Sequence, residues 1–85
     1  MSDPLTLRVL FFSSARDIAG TSEISMPCSA SITQPELRKK LSDQFVGLAP
    51  VLATARFARN HCYATPDECF VPGDEIALIP PVSGG

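Results

Sequence analysis

The sequence predicts one α+β domain, a mixed sheet packed on a single main helix, with a flexible Gly-Gly tail at the C-terminus. Three observations carry this. Apolar residues alternate with period two near both ends of the chain, and a capped four-residue apolar repeat lies between them. A Pro-Pro pair then separates the last strand-like segment from the terminal glycines. At 85 residues the chain buries about 60–65% of its unfolded surface, enough for one modest core and no deep pocket. Function is therefore expected at the surface or at a terminus.

Residues 5–12 read as the first strand, with Leu7, Val9 and Phe11 on one face and Arg8, Leu10 and Phe12 on the other. Residues 13–20 read as a short helical turn stopped by Gly20. Residues 23–26 form a second short strand, ended by Pro27. Thr33 and Glu36 have the spacing of a capping box, and Pro35 fits the first turn, whose N–H groups need no helical partner. Leu37, Leu41 and Phe45 then form one apolar stripe, and Gly47 is placed to end the helix in a left-handed conformation. Residues 48–52 add a short turn. Residues 56–60 read as a strand entering a hairpin around 61–65, and residues 69–71 as extended. Pro72-Gly73-Asp74 is a turn, and residues 75–79 are the last strand, stopped by Pro80 and Pro81.

A first and last strand of similar apolar character can pair at the sheet centre with the helix across one face, a β-grasp-like arrangement. Leu7, Val9, Phe11, Ile76 and Leu78 then face the helix. Leu10, Phe12, Ala77 and Ile79 are left on the opposite face, which so small a domain has nothing to cover. A contiguous apolar patch from two adjacent strands favours a protein partner.

Composition excludes several classes. Net charge is −2 and the longest basic run is Arg38-Lys39-Lys40, the wet side of a helix rather than the clustered positive face that nucleic acid requires. No apolar run approaches the ~20 residues of a membrane span, and the N-terminus lacks the basic and apolar regions of a signal peptide. Cys28, Cys62 and Cys69 are odd in number and form no C-x-x-C pair. They point to the cytosol rather than to a disulfide framework, and are read as packing or bystander residues. One histidine, His61, and no acidic cluster at ligand spacing leave no metal site.

The tail, Pro80-Pro81-Val82-Ser83-Gly84-Gly85, is the strongest chemical feature. The prolines favour an extended exit, and six extended residues reach up to ~20 Å. Gly84 and Gly85 strip side-chain bulk from beside the terminal carboxylate, so the end can thread a narrow channel. Two successive terminal glycines arise by chance in about 0.5% of chains, and their place directly after Pro-Pro sharpens the signal. An α-carboxylate is ionised at neutral pH and a poor electrophile. Activation as an acyl-adenylate supplies a leaving group that a sulfur or amine nucleophile can displace. Residues 1–79 are accordingly expected to form the domain and residues 80–85 the carrier tail.

Val9-Leu10-Phe11-Phe12 with Ala15-Arg16 and Gly20, Arg59-Asn60, and above all the G-D-E-x-A-x-x-P-P-V-S-G-G ending of residues 73–85 resemble the small, sulfur-carrier subunit family of molybdopterin synthase, of ubiquitin-like β-grasp fold. The resemblance implies that the chain is not an enzyme on its own. It implies adenylation of Gly85 by an E1-like enzyme using ATP, with no permanently bound cofactor, and conversion of the carboxylate to a thiocarboxylate. It further implies insertion of the tail into the large synthase subunit, in a heterotetramer of two small and two large chains. There the sulfur would attack a cyclic pyranopterin monophosphate to build the molybdopterin dithiolene. Carried over by position, the docking residues are Phe12, Tyr63 and Ile79, with Arg16 as a polar contact. Carriers for thiamine synthesis or tRNA thiolation, a ubiquitin-like modifier and a pure interaction module are the competing readings.

Overall fold

The computed structural model describes residues 5–81. Within them run β1 (Thr6–Phe11), α1 (Ser13–Ala19), β2 (Glu23–Pro27), β3 (Ile32–Thr33), α2 (Gln34–Gln44), α3 (Ala49–Leu52), β4 (Arg56–Arg59), β5 (Cys62–Tyr63), β6 (Cys69–Phe70) and β7 (Glu75–Ile79). A 3₁₀ turn at Val46–Leu48 leads from α2 into α3.

Five strands form one sheet in the order β2-β1-β7-β4-β5. The first and last strands pair at its centre, as expected, and they run parallel, with Val9 opposite Ile76 and Phe11 opposite Leu78. Parallel neighbours require a crossover connection. Here the intervening chain provides it, and the crossover brings α2 across one sheet face. Leu7, Val9, Phe11, Ile76 and Leu78 are buried beneath Leu37 and Leu41 of α2, together with Leu48 and Leu52. Edge-to-face ring pairs tie this layer together: Phe11 with Phe45 at 5.5 Å, and Phe57 with Phe70 at 5.7 Å. The arrangement is the β-grasp.

The capping box of α2 forms in both directions. The Glu36 N–H donates to Thr33 Oγ1 at 3.2 Å, and the Thr33 N–H donates to Glu36 Oε1 at 2.9 Å. Hydrogen bonding from the Thr33 backbone N–H, and then from its side chain, holds the Glu36 carboxyl below its ordinary pKa. Thr33→Ala removes one of the two reciprocal bonds and is expected to cost about 1 kcal/mol. In a domain of this size that lowers the melting temperature by roughly 4–8 °C, readable by circular dichroism. A shift within 1 °C would show that α2 starts independently of its cap.

One sequence expectation changes. Gly47 is not the left-handed stop of α2. The helix ends at Phe45, whose backbone is extended (φ −126°, ψ 91°), and Gly47 lies inside the 3₁₀ turn. A Cβ at Gly47 would stand 2.9 Å from Ile18 Cγ2, so glycine is needed there for close approach of α1, not for its φ. Gly20 and Gly73 do occupy left-handed backbone, at φ 77° and 95°. The segment around Cys69 is extended, as read from sequence, and it pairs as β6 with β3 outside the main sheet, placing Ile32 opposite Phe70, a pairing too short for periodicity to reveal. Pro27 ends β2, as read, as the last residue of that edge strand, opposite Thr6, where its missing N–H costs no ladder bond.

Candidate functional site

The face of the sheet turned away from α2 is built in rows. Leu10, Ala77, Ala58 and Tyr63 are successive cross-strand partners over β1, β7, β4 and β5. Ile79 and Arg56 pair in the next row, with Phe12 beside them, two positions beyond Leu10. The alanines keep the middle low and the larger side chains stand around it. The result is an open hollow of about 360 Å³ lined by these apolar residues, with His61 and Glu75 at one end. Phe12 and Tyr63 are 46% and 57% exposed. Two large rings thus stand half open to solvent on one face.

The backbone explains why Phe12 points outward. Ser13 has φ 52°, a left-handed kink that turns the chain sharply from β1 into α1. Phe12 thereby occupies the N-cap position of α1 and makes no side-chain capping bond. Caps strongly prefer Ser, Thr, Asp or Asn, so phenylalanine here sacrifices local helix stability. Such a departure from local rules belongs with function rather than folding.

At the end of the face where β7 begins, Arg8 bridges Glu23 at 2.9 Å and Glu75 at 3.2 Å, and His61 Nε2 lies 3.5 Å from Glu75 Oε1. The hydrogen bond from Arg8 holds the Glu23 carboxyl below its ordinary pKa and raises that of Arg8. Water screens these exposed pairs, so their effect is to place charge rather than to add stability. At the opposite end, where the chain leaves β7, the guanidinium of Arg56 lies 4.3 Å from the centroid of the Tyr63 ring. His61 reaches the rim because Asn60 and His61, at φ 51° and 77°, form a two-residue turn between Arg59 and Cys62. Positive φ at both central residues is the type I′ hairpin pattern.

Among the residues singled out from sequence, the fold brings Phe12, Tyr63 and Ile79 around one hollow. Arg16 is exposed on α1, where its N–H reaches the Phe12 carbonyl at 3.4 Å; it neighbours the hollow without lining it. Sequence reasoning missed Arg56, Ala58 and His61, since only strand pairing brings them to this face. Pro80 is half-buried and Pro81 exposed at the tail exit. Val82, Ser83, Gly84 and Gly85 lie outside the described residues. The exit leaves from the row of Ile79 and Arg56, so the tail departs from one end of the hollow, opposite the end that His61 and Glu75 line.

The remaining chemistry-bearing groups form no second centre among the described residues. No group of three metal-ligating side chains occurs there. Cys28 is buried and its thiol donates to the Ala30 carbonyl at 2.8 Å, while Cys62 and Cys69 are free and exposed. No helix there is long and apolar enough to cross a membrane.

Residues 9–85 match the model of the ThiS family. Over 83 residues the chain is 32% identical to a molybdopterin synthase sulfur carrier subunit of Chlamydomonas reinhardtii, covering 95% of this chain and 100% of that one. Among solved structures it is similar to SAMP1, a small archaeal modifier protein of Haloferax volcanii, with a TM-score of 0.79 and 25% identity over 94% of this chain and 99% of that one. It is also similar to a chain in the complex of subunits 1 and 2 of the molybdopterin-converting factor from Helicobacter pylori. There the TM-score is 0.66 with 26% identity, over 94% of this chain and 99% of that one.

Proposed function

The chain belongs to the ThiS family, and from that membership we propose that it is the sulfur-carrier subunit of a molybdopterin synthase. The observation that carries the reading is the shared position of the apolar hollow and the tail exit. A protein seated on Phe12, Tyr63 and Ile79 stands at the point from which residues 80–85 depart. The β-grasp body is the handle and the tail is the reagent.

In this reading an E1-like enzyme directs the Gly85 carboxylate onto the α-phosphate of ATP, releasing pyrophosphate. Hydrosulfide delivered by a sulfur donor then attacks the acyl carbon, displaces AMP and leaves a thiocarboxylate. Pro80 and Pro81 hold the start of the tail extended, and Val82, Ser83 and Gly84 thread it into the large subunit. There the sulfur is passed to cyclic pyranopterin monophosphate, and two loaded carriers supply one dithiolene. The carrier contributes no acid–base group and no permanent cofactor, so the catalytic residues belong to the large subunit, in a heterotetramer. Cys62 and Cys69 remain reduced thiols in the cytosol.

Intact mass after incubation with ATP, the activating enzyme and a sulfur donor tests the chemistry. The expected gain equals exchange of one oxygen for sulfur, and it is lost without Gly85. No gain with an activating enzyme proven on another carrier would overturn the proposal. The likeness to SAMP1 supports a second use of the same activated end, joined to lysine amines; lysine-linked conjugates of this chain in cells would establish it.

A further inference from the structure

Resting on the docking reading above, we propose that Arg56 is a specificity-determining residue, which pairs with a carboxylate of the large synthase subunit and fixes how that subunit sits on the hollow. Arg56 is the cross-strand neighbour of Ile79, and its guanidinium lies over the ring of Tyr63 at 4.3 Å. Any protein that covers both Ile79 and Tyr63 covers Arg56 as well.

The other engaged arginines show what Arg56 lacks. Arg8 is paired with Glu23 and Glu75, Arg59 with Glu68, and Arg38 donates to the carbonyls of Leu52 and Ala55. Among the described residues Arg56 has neither an ion-pair partner nor a hydrogen-bond acceptor, and it is exposed. Its N–H donors are open to solvent. Docking would desolvate them. The ring attracts the flat face of the guanidinium but accepts nothing from the N–H groups on its edge, so stacking offsets only part of the desolvation. A partner that binds here must therefore bring an acceptor. A carboxylate matches the planar fork with two parallel hydrogen bonds. The Tyr63 ring holds the fork in one plane before binding, which reduces the ordering cost of making that pair.

The charge at the other end of the face makes the contact directional. Glu23 and Glu75 share the single Arg8 there, so a partner carboxylate meets excess negative charge if the partner docks end for end. At the other end it meets Arg56, a cation with no ion-pair partner among the described residues. The apolar hollow supplies area, and the arginine selects the orientation that leaves the tail exit facing the partner.

The test is the affinity of the large synthase subunit from the same organism for the wild type, Arg56→Glu, Arg56→Leu, Arg56→Lys and Phe12→Asp, at several salt concentrations. Thermal melts establish that each variant is folded. Arg56→Glu is expected to weaken binding at least ~30-fold. Arg56→Leu should weaken it less and flatten its salt dependence, with Arg56→Lys between Leu and wild type. Binding of Arg56→Glu and Arg56→Leu within about twofold of wild type, while Phe12→Asp loses affinity, would overturn the role of Arg56 and leave the docking face standing. If Phe12→Asp also binds as wild type, the docking reading itself fails.

Discussion

Deleting Gly85, or adding one residue after it, is expected to abolish sulfur transfer while leaving the melting temperature unchanged. In the proposed chemistry the reacting atom is the terminal carboxyl carbon of Gly85. One residue more or less moves that carbon by up to ~3.5 Å along an extended chain. Reacting groups must stand about 3–3.5 Å apart, and a misplacement of 1 Å can cost ~100-fold. A full residue is therefore expected to leave no measurable turnover. Among the described residues the buried core ends with Leu78 in β7, so the melting temperature is expected not to depend on the change. Intact mass and a thermal melt on the same sample separate the two effects. Sulfur loading at the wild-type rate without Gly85 would exclude the terminus as the carrier.

Phe12→Asp is expected to weaken binding of the large subunit by roughly 100-fold or more without blocking adenylation. Truncating a buried aromatic forfeits about 1.5–3 kcal/mol of apolar burial. Placing a carboxylate in the same contact adds a desolvation cost of at least about 1–3 kcal/mol. Each 1.4 kcal/mol is tenfold in Kd, so a combined loss of about 2.5–6 kcal/mol amounts to roughly two to four decades. Phe12 is 46% exposed in the free chain and makes no capping bond, so the fold tolerates the change. Titration calorimetry reads the loss of affinity, and adenylate formation on Gly85 reads the retained activation. Unchanged affinity would remove this face from the interface.

Much of this was legible because it is local. Thr33 and Glu36 signal the start of α2 three residues apart, and Gly20 marks the end of α1. The alternation in β1 and β7 already separates Leu7, Val9 and Phe11 from Leu10 and Phe12. Even the uncovered apolar face follows from counting layers in a chain too short to supply another. The misreading of Gly47 has the same origin: a glycine after a helical stripe usually ends it, and only the approach of Ile18, nearly thirty positions earlier in the chain, shows why it is glycine.

By itself, then, the sequence determined the element types, the two faces of the central strands, the Pro-Pro exit and the terminal glycines, because periodicity, capping and turn chemistry act over a few residues. Only the tertiary structure decided that β1 and β7 run parallel, that β3 and β6 form a sheet of their own, and that Arg56 stacks on Tyr63 beside the tail exit. These depend on which strands become neighbours and in what register. Pairing free energy is shared between segments far apart in the chain, so neither segment records it alone.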